Sequence, residues 1–138
     1  MQDIEATAAD IIDVSVNLHK GLGPGLLESV YESILAAKLV ERGHKVAQQC
    51  PIDIEYEGLR FQSAFRADLI VNGCVLVEIK SIERLAPVHG KQVLTYLRLL
   101  KQPVGLLINF GGETLKEALR RIVNDYTPLA PSRLRVNN

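Results

Sequence analysis

Tryptophan is absent from the 138 residues, methionine occurs once and cysteine only twice. The two cysteines, Cys50 and Cys74, stand 24 positions apart with no CxxC and no histidine-rich neighbourhood. That spacing excludes a disulfide scaffold and argues against a structural zinc site, so both read as reduced core thiols. Net charge is also absent: Lys and Arg total 16, and so do Asp and Glu. No overall positive field draws the molecule onto nucleic acid, and any such partner must be met locally. No apolar run approaches the roughly 18 residues that span a bilayer, and the acidic start MQDIEATAADIID has no signal-peptide h-region. The expectation is a cytoplasmic protein with no membrane partner. Repeats, low-complexity runs and internal linkers are missing too.

What is present describes one globular unit. Hydrophobic residues make up 47% and charged residues 23%, values of a chain that folds rather than stays disordered. A chain of this length buries about two-thirds of its unfolded surface. Charge is distributed unevenly: residues 1–32 carry six acidic side chains and one basic, whereas 61–103 carry six basic and three acidic. A mildly positive half beside an acidic helix suits a phosphate-facing surface, and equally suits ordinary solvated charge.

Apolar residues at helical spacing, Ile4, Ala8, Ile11, Ile12 and Leu18, predict a helix over residues 4–20 stopped by Gly21. Pro24 is placed to open a second helix running to about residue 42, with Leu27, Val30, Ile34, Leu35 and Leu39 on its apolar face and Gly43 as its end. The period then becomes two: Ile52, Ile54 and Tyr56 alternate with acids. Residues 60–71 and 74–80 follow as strands joined by Asn72-Gly73, a hairpin signal. Helical spacing returns over 88–101 through Val93, Leu97 and Leu100, and VGLLINF (104–110) reads as a strand covered on both faces, parallel to a meander strand. Thr114 to Glu117 matches a capping box and predicts a last helix to about residue 124. The fold class is thus α/β, α-α-β-β-β-α-β-α with a mixed sheet. A single domain over 1–125 is expected, with a loosely held tail over 126–138.

Two carboxylates and a lysine resist an ordinary core reading. Glu78 and Lys80 share one face of a strand whose first four residues are apolar, and Asp68 precedes Leu69, Ile70 and Val71. An ionised carboxylate in such a setting costs several kcal/mol unless it is paired or binds a cation. A hard divalent cation, Mg2+ or Mn2+, takes one or two carboxylates alongside water and phosphate, and Lys80 could then orient a water or steady phosphate charge. The competing reading is a partly buried salt network of Glu78, Lys80, Asp68 and Arg66. Geometry separates them. A strict two-residue turn at Asn72-Gly73 sets Asp68 opposite Val77 and turns Glu78 to the other face, so a shared site requires a three-residue loop or a strand that splays before Asp68.

Gly25, Glu28 and Tyr31 recur on one side of the second helix. Glu28 also reads as a solvated residue favoured at a helix start, and Tyr31 as core with its hydroxyl satisfied. His89, Gln92 and Tyr96 share a face of the later helix, away from Val93, Leu97 and Leu100, and His89 reads first as structural.

The stretches Gly25-Leu-Leu-Glu28-Ser-Val-Tyr31, Arg66-Ala-Asp68, Val77-Glu78-Ile-Lys80, Arg84-Leu-Ala-Pro-Val-His89, Gln92-Val-Leu-Thr-Tyr96 and Gly105-Leu-Leu-Ile-Asn109-Phe110 together resemble the GxxExxY family of the PD-(D/E)XK nuclease-like superfamily, over about residues 7–124. The resemblance implies a restriction-endonuclease-like α-β-β-β-α-β core with an extra N-terminal and an extra C-terminal helix. It implies Asp68 and Glu78 as metal ligands and Lys80 as the catalytic lysine. Glu28 would be the helix acid near the metal, with Gln92 and Tyr96 in support. It further implies a Mg2+- or Mn2+-dependent nuclease acting on nucleic acid, with DNA the expected substrate, leaving 5′-phosphate and 3′-hydroxyl ends. Ala67 stands where the motif has proline, and Gly90-Lys91 where relatives tend to carry Glu-Ala. Because superfamily relatives have lost or changed their chemistry, a non-catalytic nucleic-acid-binding or protein-binding module is the alternative. A homodimer through the first helix or the 52–57 strand is a third reading.

Overall fold

A computed structural model describes residues 3–128; the rest of the expected tail, 129–138, lies outside the described residues. Asp3 caps the first helix, α1 (Ile4–Leu22), by accepting the Glu5 N–H at 2.9 Å, and Ala8, Ile11 and Val14 face inward. The helix passes Gly21 and stops at Gly23, whose φ of 72° lies in the left-handed region. Helix α2 spans Glu28–Glu41 and does not open at Pro24. Gly23 and Gly25, at φ 72° and 106°, hold a non-helical loop around the proline. Gly25 therefore lies outside the helix that carries Glu28 and Tyr31. The apolar stripe is also rotated from its expected place: Tyr31, Leu35, Ala36 and Leu39 are buried, while Leu27 is 73% exposed and Val30 is exposed.

Strands β1 (Val46–Tyr56), β2 (Leu59–Val71) and β3 (Val75–Lys80) form the meander; α3 (Pro87–Leu100) crosses over to β4 (Val104–Asn109), and β5 (Leu119–Val123) closes the sheet. The order is β1-β2-β3-β4-β5, with β3 and β4 parallel and every other neighbouring pair antiparallel. The expected C-terminal helix is a strand. Only a 3-10 turn, Lys116–Ala118, survives of the capping-box signal. Beyond it Leu119–Val123 pairs with β4, with Leu119 packing in the layer of α1 and α2 and Ile122 in that of α3. The ladder offered by an open sheet edge outweighs a weak local helix signal. Tyr126, first residue of the expected tail, donates its hydroxyl to Glu5 Oε2 at 2.8 Å.

Two apolar layers sandwich the sheet. On one face Ile11, Leu35 and Leu39 meet Leu69, Val77, Ile79, Leu106 and Phe110; on the other Val93, Tyr96 and Leu97 meet Ile52, Ala67, Leu76 and Leu107. Gly105 admits α3 closely, since a Cβ there would stand 2.8 Å from Val93 Cγ1. Tyr96 packs with Val93 and Leu97, not away from them as the helical spacing suggested. Cys50 and Cys74 are free and half-buried, and burial raises both thiol pKa values. Among the described residues no helix is long and apolar enough to cross a membrane.

A break in strand alternation shapes the molecule. Leu69 and Val71 face α1 and α2, yet Phe65 and Ala67, of the same parity, face α3. Strand β1 makes the same exchange between Val46 and Cys50. The two switches flank Asp68 and Gln49, and Gln49 carries a left-handed φ of 51°.

Candidate active site

The β2–β3 turn decides whether the acids meet. Val71 pairs with Val75, so the loop is the three residues Asn72-Gly73-Cys74, with Asn72 and Gly73 at φ 53° and 66°. This is the odd-length loop that a shared site requires. The ladder runs Val71↔Val75, Ile70↔Leu76 and Leu69↔Val77, and one step further Asp68 stands opposite Glu78. There the strands part and the side chains replace the ladder: the Asp68 N–H donates to Glu78 Oε1 at 2.9 Å, and the Ile79 N–H donates to Asp68 Oδ2 at 2.8 Å.

Glu78 is 6% exposed. Burial, followed by repulsion from Asp68, pushes its pKa up to about 8, against the opposing effects of the Asp68 N–H and Lys80. Burial also raises the pKa of Asp68, with the Ile79 N–H opposing and the charge of Glu32 reinforcing. Both acids are thus held above the ordinary carboxylate range, Glu78 partly by the charge of Asp68. Arg66, the expected neutralising partner, is exposed and donates instead to the Gln49 carbonyl at 3.3 Å.

The other expected residues divide. Glu28, first residue of α2, accepts the Ser81 N–H at 3.1 Å, and Ser81 Oγ donates to the Leu26 carbonyl at 2.6 Å. The α2 start is thereby tied to the backbone just after Lys80, and the Glu28 charge reaches both Asp68 and Glu78. Tyr96 is buried on α3, its ring against Phe65 at 4.6 Å, and burial, then the charges of Glu78 and Asp68, raise its hydroxyl pKa. Lys80 is half-buried at the end of β3, paired in register with Asn109. Gln92 is exposed one turn before Tyr96 and makes no side-chain hydrogen bond among the described residues, so the structure does not join it to the acids. His89 Nδ1 accepts the Ala86 N–H at 2.9 Å and helps start α3, a structural task.

Tyr31 is an anchor in the core. Its ring stacks on Phe110 at 4.4 Å, and its hydroxyl donates to the Gly23 carbonyl while accepting the Leu26 N–H at 3.2 Å. It pins the glycine loop from which Glu28 starts. Asn109 performs a similar service beyond Lys80: its Oδ1 accepts the Ile82 and Gly111 N–H groups, both at 3.0 Å, and its Nδ2 donates to the Ile82 carbonyl at 2.8 Å. Gly111 is obligatory there, because a Cβ would overlap the Ile82 backbone.

Sequence reasoning missed Glu32, Gln48 and Gln49. Glu32 is 9% exposed on α2, one turn after Glu28, and accepts from Gln49 Nε2 at 2.7 Å and Gln48 Nε2 at 3.1 Å. Gln49 Nε2 also donates to Asp68 Oδ1 at 3.2 Å. The i, i+4 spacing of Glu28 and Glu32 was visible; the reach of Gln49 was not, because it depends on a left-handed backbone that glutamine rarely adopts.

Among curated protein sequences none matches the chain. A crystal structure of SSO0001 is similar at a TM-score of 0.39 and 17% identity, over 87% of this chain and 67% of that one. The family model described as the PD-(D/E)XK nuclease superfamily matches residues 5–122, a span holding β1 to β4, all but the last residue of β5 and both acids of the parted hairpin. On that match the chain belongs to the PD-(D/E)XK nuclease superfamily.

Proposed function

We propose that this protein is a divalent-metal-dependent nuclease of the GxxExxY kind, hydrolysing phosphodiesters of DNA. One observation carries the reading: a buried Glu78 and a half-buried Asp68, each bonded to the main chain of the other's strand, with Glu78 pushed up to about 8. The donor set suits Mg2+ or Mn2+. Both groups offer hard oxygen, and two carboxylates do not fill the coordination of such an ion. That leaves positions for water and phosphate, as such ions prefer. Asp68 and Glu78 would hold the ion, which when bound supplies charge to polarise a phosphate oxygen and acidify a water.

The remaining roles belong to the chain itself. Lys80, two residues beyond Glu78, supplies the positive charge that orients the attacking water and steadies charge on the phosphate. Glu28 holds Ser81 and so the exit of β3, setting where the Lys80 backbone ends. Tyr96, buried on α3, and Gln92, exposed one turn earlier, would support the site from that helix. The test is to incubate single- and double-stranded DNA with Mg2+ or Mn2+, with wild type beside Glu78→Ala and Lys80→Ala. Cleavage by wild type alone supports the reading, and cleavage that persists in both variants assigns the activity to a contaminant.

A non-catalytic module on the same fold, binding nucleic acid or protein, draws support from the main-chain N–H groups that already serve both acids. Salt-dependent DNA binding without turnover at any divalent concentration would select it.

A further inference from the structure

Asp68 is held from behind by a chain of contacts that starts on α2. Both Glu32 oxygens are occupied, Oε2 by Gln48 and Oε1 by Gln49. The Gln49 Nε2 that serves Glu32 at 2.7 Å also serves Asp68 Oδ1 at 3.2 Å, while the Ile79 N–H takes Asp68 Oδ2 at 2.8 Å. Each Asp68 oxygen thus accepts one bond, and a carboxylate oxygen has about two acceptor directions. One direction on each oxygen is left for a cation, and the plane of the group is set by two donors from two different strands.

The backbone at Gln49 fits this arrangement. A left-handed φ at a non-glycine residue persists where the surroundings require it, and such positions gather at functional sites. Here it falls where β1 and β2 exchange faces, opposite Asp68 in the ladder that continues through Gln48↔Leu69 and Cys50↔Ala67.

We propose that Gln49 is a positioning residue for Asp68 and that Glu32 is its anchor, a relay from α2 through β1 to the metal-ligating face of β2. The inference rests on the metal-dependent reading above. Glu32 acts in it as an acceptor for the Gln49 amide and does not itself ligate the ion. Partners of this kind behind a metal ligand alter affinity or activity by about 10–100-fold when removed.

The probe is Mn2+ titrated calorimetrically into the full chain, with unfolding midpoints and DNA cleavage measured on the same samples. The variants are Gln49→Ala, Gln49→Gly, Glu32→Leu and Glu32→Gln. Gln49→Ala and Gln49→Gly should lose Mn2+ affinity equally, by about 10–100-fold, while differing in stability because only glycine relaxes the left-handed backbone. Glu32→Leu should fall with them. Glu32→Gln should keep its affinity, since its amide carbonyl still accepts from Gln49 and the exposed Gln48 can turn its own carbonyl to the new amide. Affinity that follows the unfolding midpoint across the four, or Glu32→Gln falling as far as Glu32→Leu, overturns the relay. Gln49 variants that bind like a binding wild type overturn it while sparing the nuclease reading. A wild type that binds no Mn2+ overturns both.

Discussion

The two ends of the β2–β3 hairpin carry polar clusters of opposite design. At the turn, Arg42 bridges Asp10 at 3.1 Å and Asp13 at 2.8 Å, and His44 Nε2 meets Asp10 at 2.7 Å. Asn72 completes the group: its Oδ1 accepts the Lys45 N–H, and its Nδ2 donates to Thr7 Oγ1 and His44 Nδ1. With Nδ1 accepting, the ring proton sits on Nε2 and donates to Asp10. Chiefly through that bond, the Asp10 pKa lies below its ordinary value. At the parted end Glu28, Glu32, Asp68 and Glu78 gather with amides and N–H groups as their partners, and Asp68 and Glu78 lie above their ordinary values. Residues of the same type thus hold the molecule together at one end and strain it at the other. Charge placed where it opposes folding is the feature on which the proposed site rests.

The sharpest way to break this contrast is Glu78→Ala with Lys80→Ala in the cleavage assay, each expected to lower the rate by at least about a hundredfold, the scale of a lost transition-state charge partner. Retained activity would remove any distinction between the two ends.

Stability gives the next largest effect. In the folded protein Glu78 titrates at about 8, against an ordinary 4.5. A raised carboxyl pKa means that the folded state holds a proton the unfolded state has released. The stability contributed by Glu78 is therefore complete below about pH 4.5 and lost as pH climbs towards 8. Glu78→Gln should flatten that slope and leave the metal-free protein more stable than wild type at pH 8–9 by roughly 2–5 kcal/mol. Urea titrations at pH 5 and pH 8.5 measure it, and an unchanged slope would contradict the burial of an ionising group.

The turn should respond in the opposite sense. Asn72→Ala removes its side-chain bonds to Lys45, Thr7 and His44 and should cost about 1–3 kcal/mol, with Mn2+ affinity unchanged. An affinity loss would show that the two ends are coupled. Smallest of all, Asp13→Asn removes one exposed contact to Arg42 and should shift the unfolding midpoint little, the remainder disappearing in high salt.

Much of the site was legible because burial makes carboxylates conspicuous: Asp68 and Glu78 stand against aliphatic runs that cannot solvate them. The turn was legible as a choice between two parities, and the structure selects the three-residue form. Glu32 escaped because a glutamate on a helix ordinarily faces water, and its burial follows from two glutamines on another strand. The C-terminal strand escaped because local capping chemistry competes with an edge ladder that exists only once β4 is in place. The start of α2 escaped because proline's preference for a first helical turn says nothing of the glycines on either side of it, and their left-handed φ values keep the helix from starting there.

The three-residue turn ties the meeting of the two acids to a choice of register. Were Asn72-Gly73 to close as the tight bend that hairpins favour most, Cys74 would pair with Val71, Val77 would come across from Asp68, and Glu78 would rotate to the opposite side of the sheet. The carboxylates would part with no change to any acid, lysine or tyrosine. Removing Cys74 dissolves the conflict, because the shorter bend then joins Val71 to Val75, the pair the fold already uses. One small residue at a bend thus separates the connection that is locally preferred from the one that keeps the acids face to face.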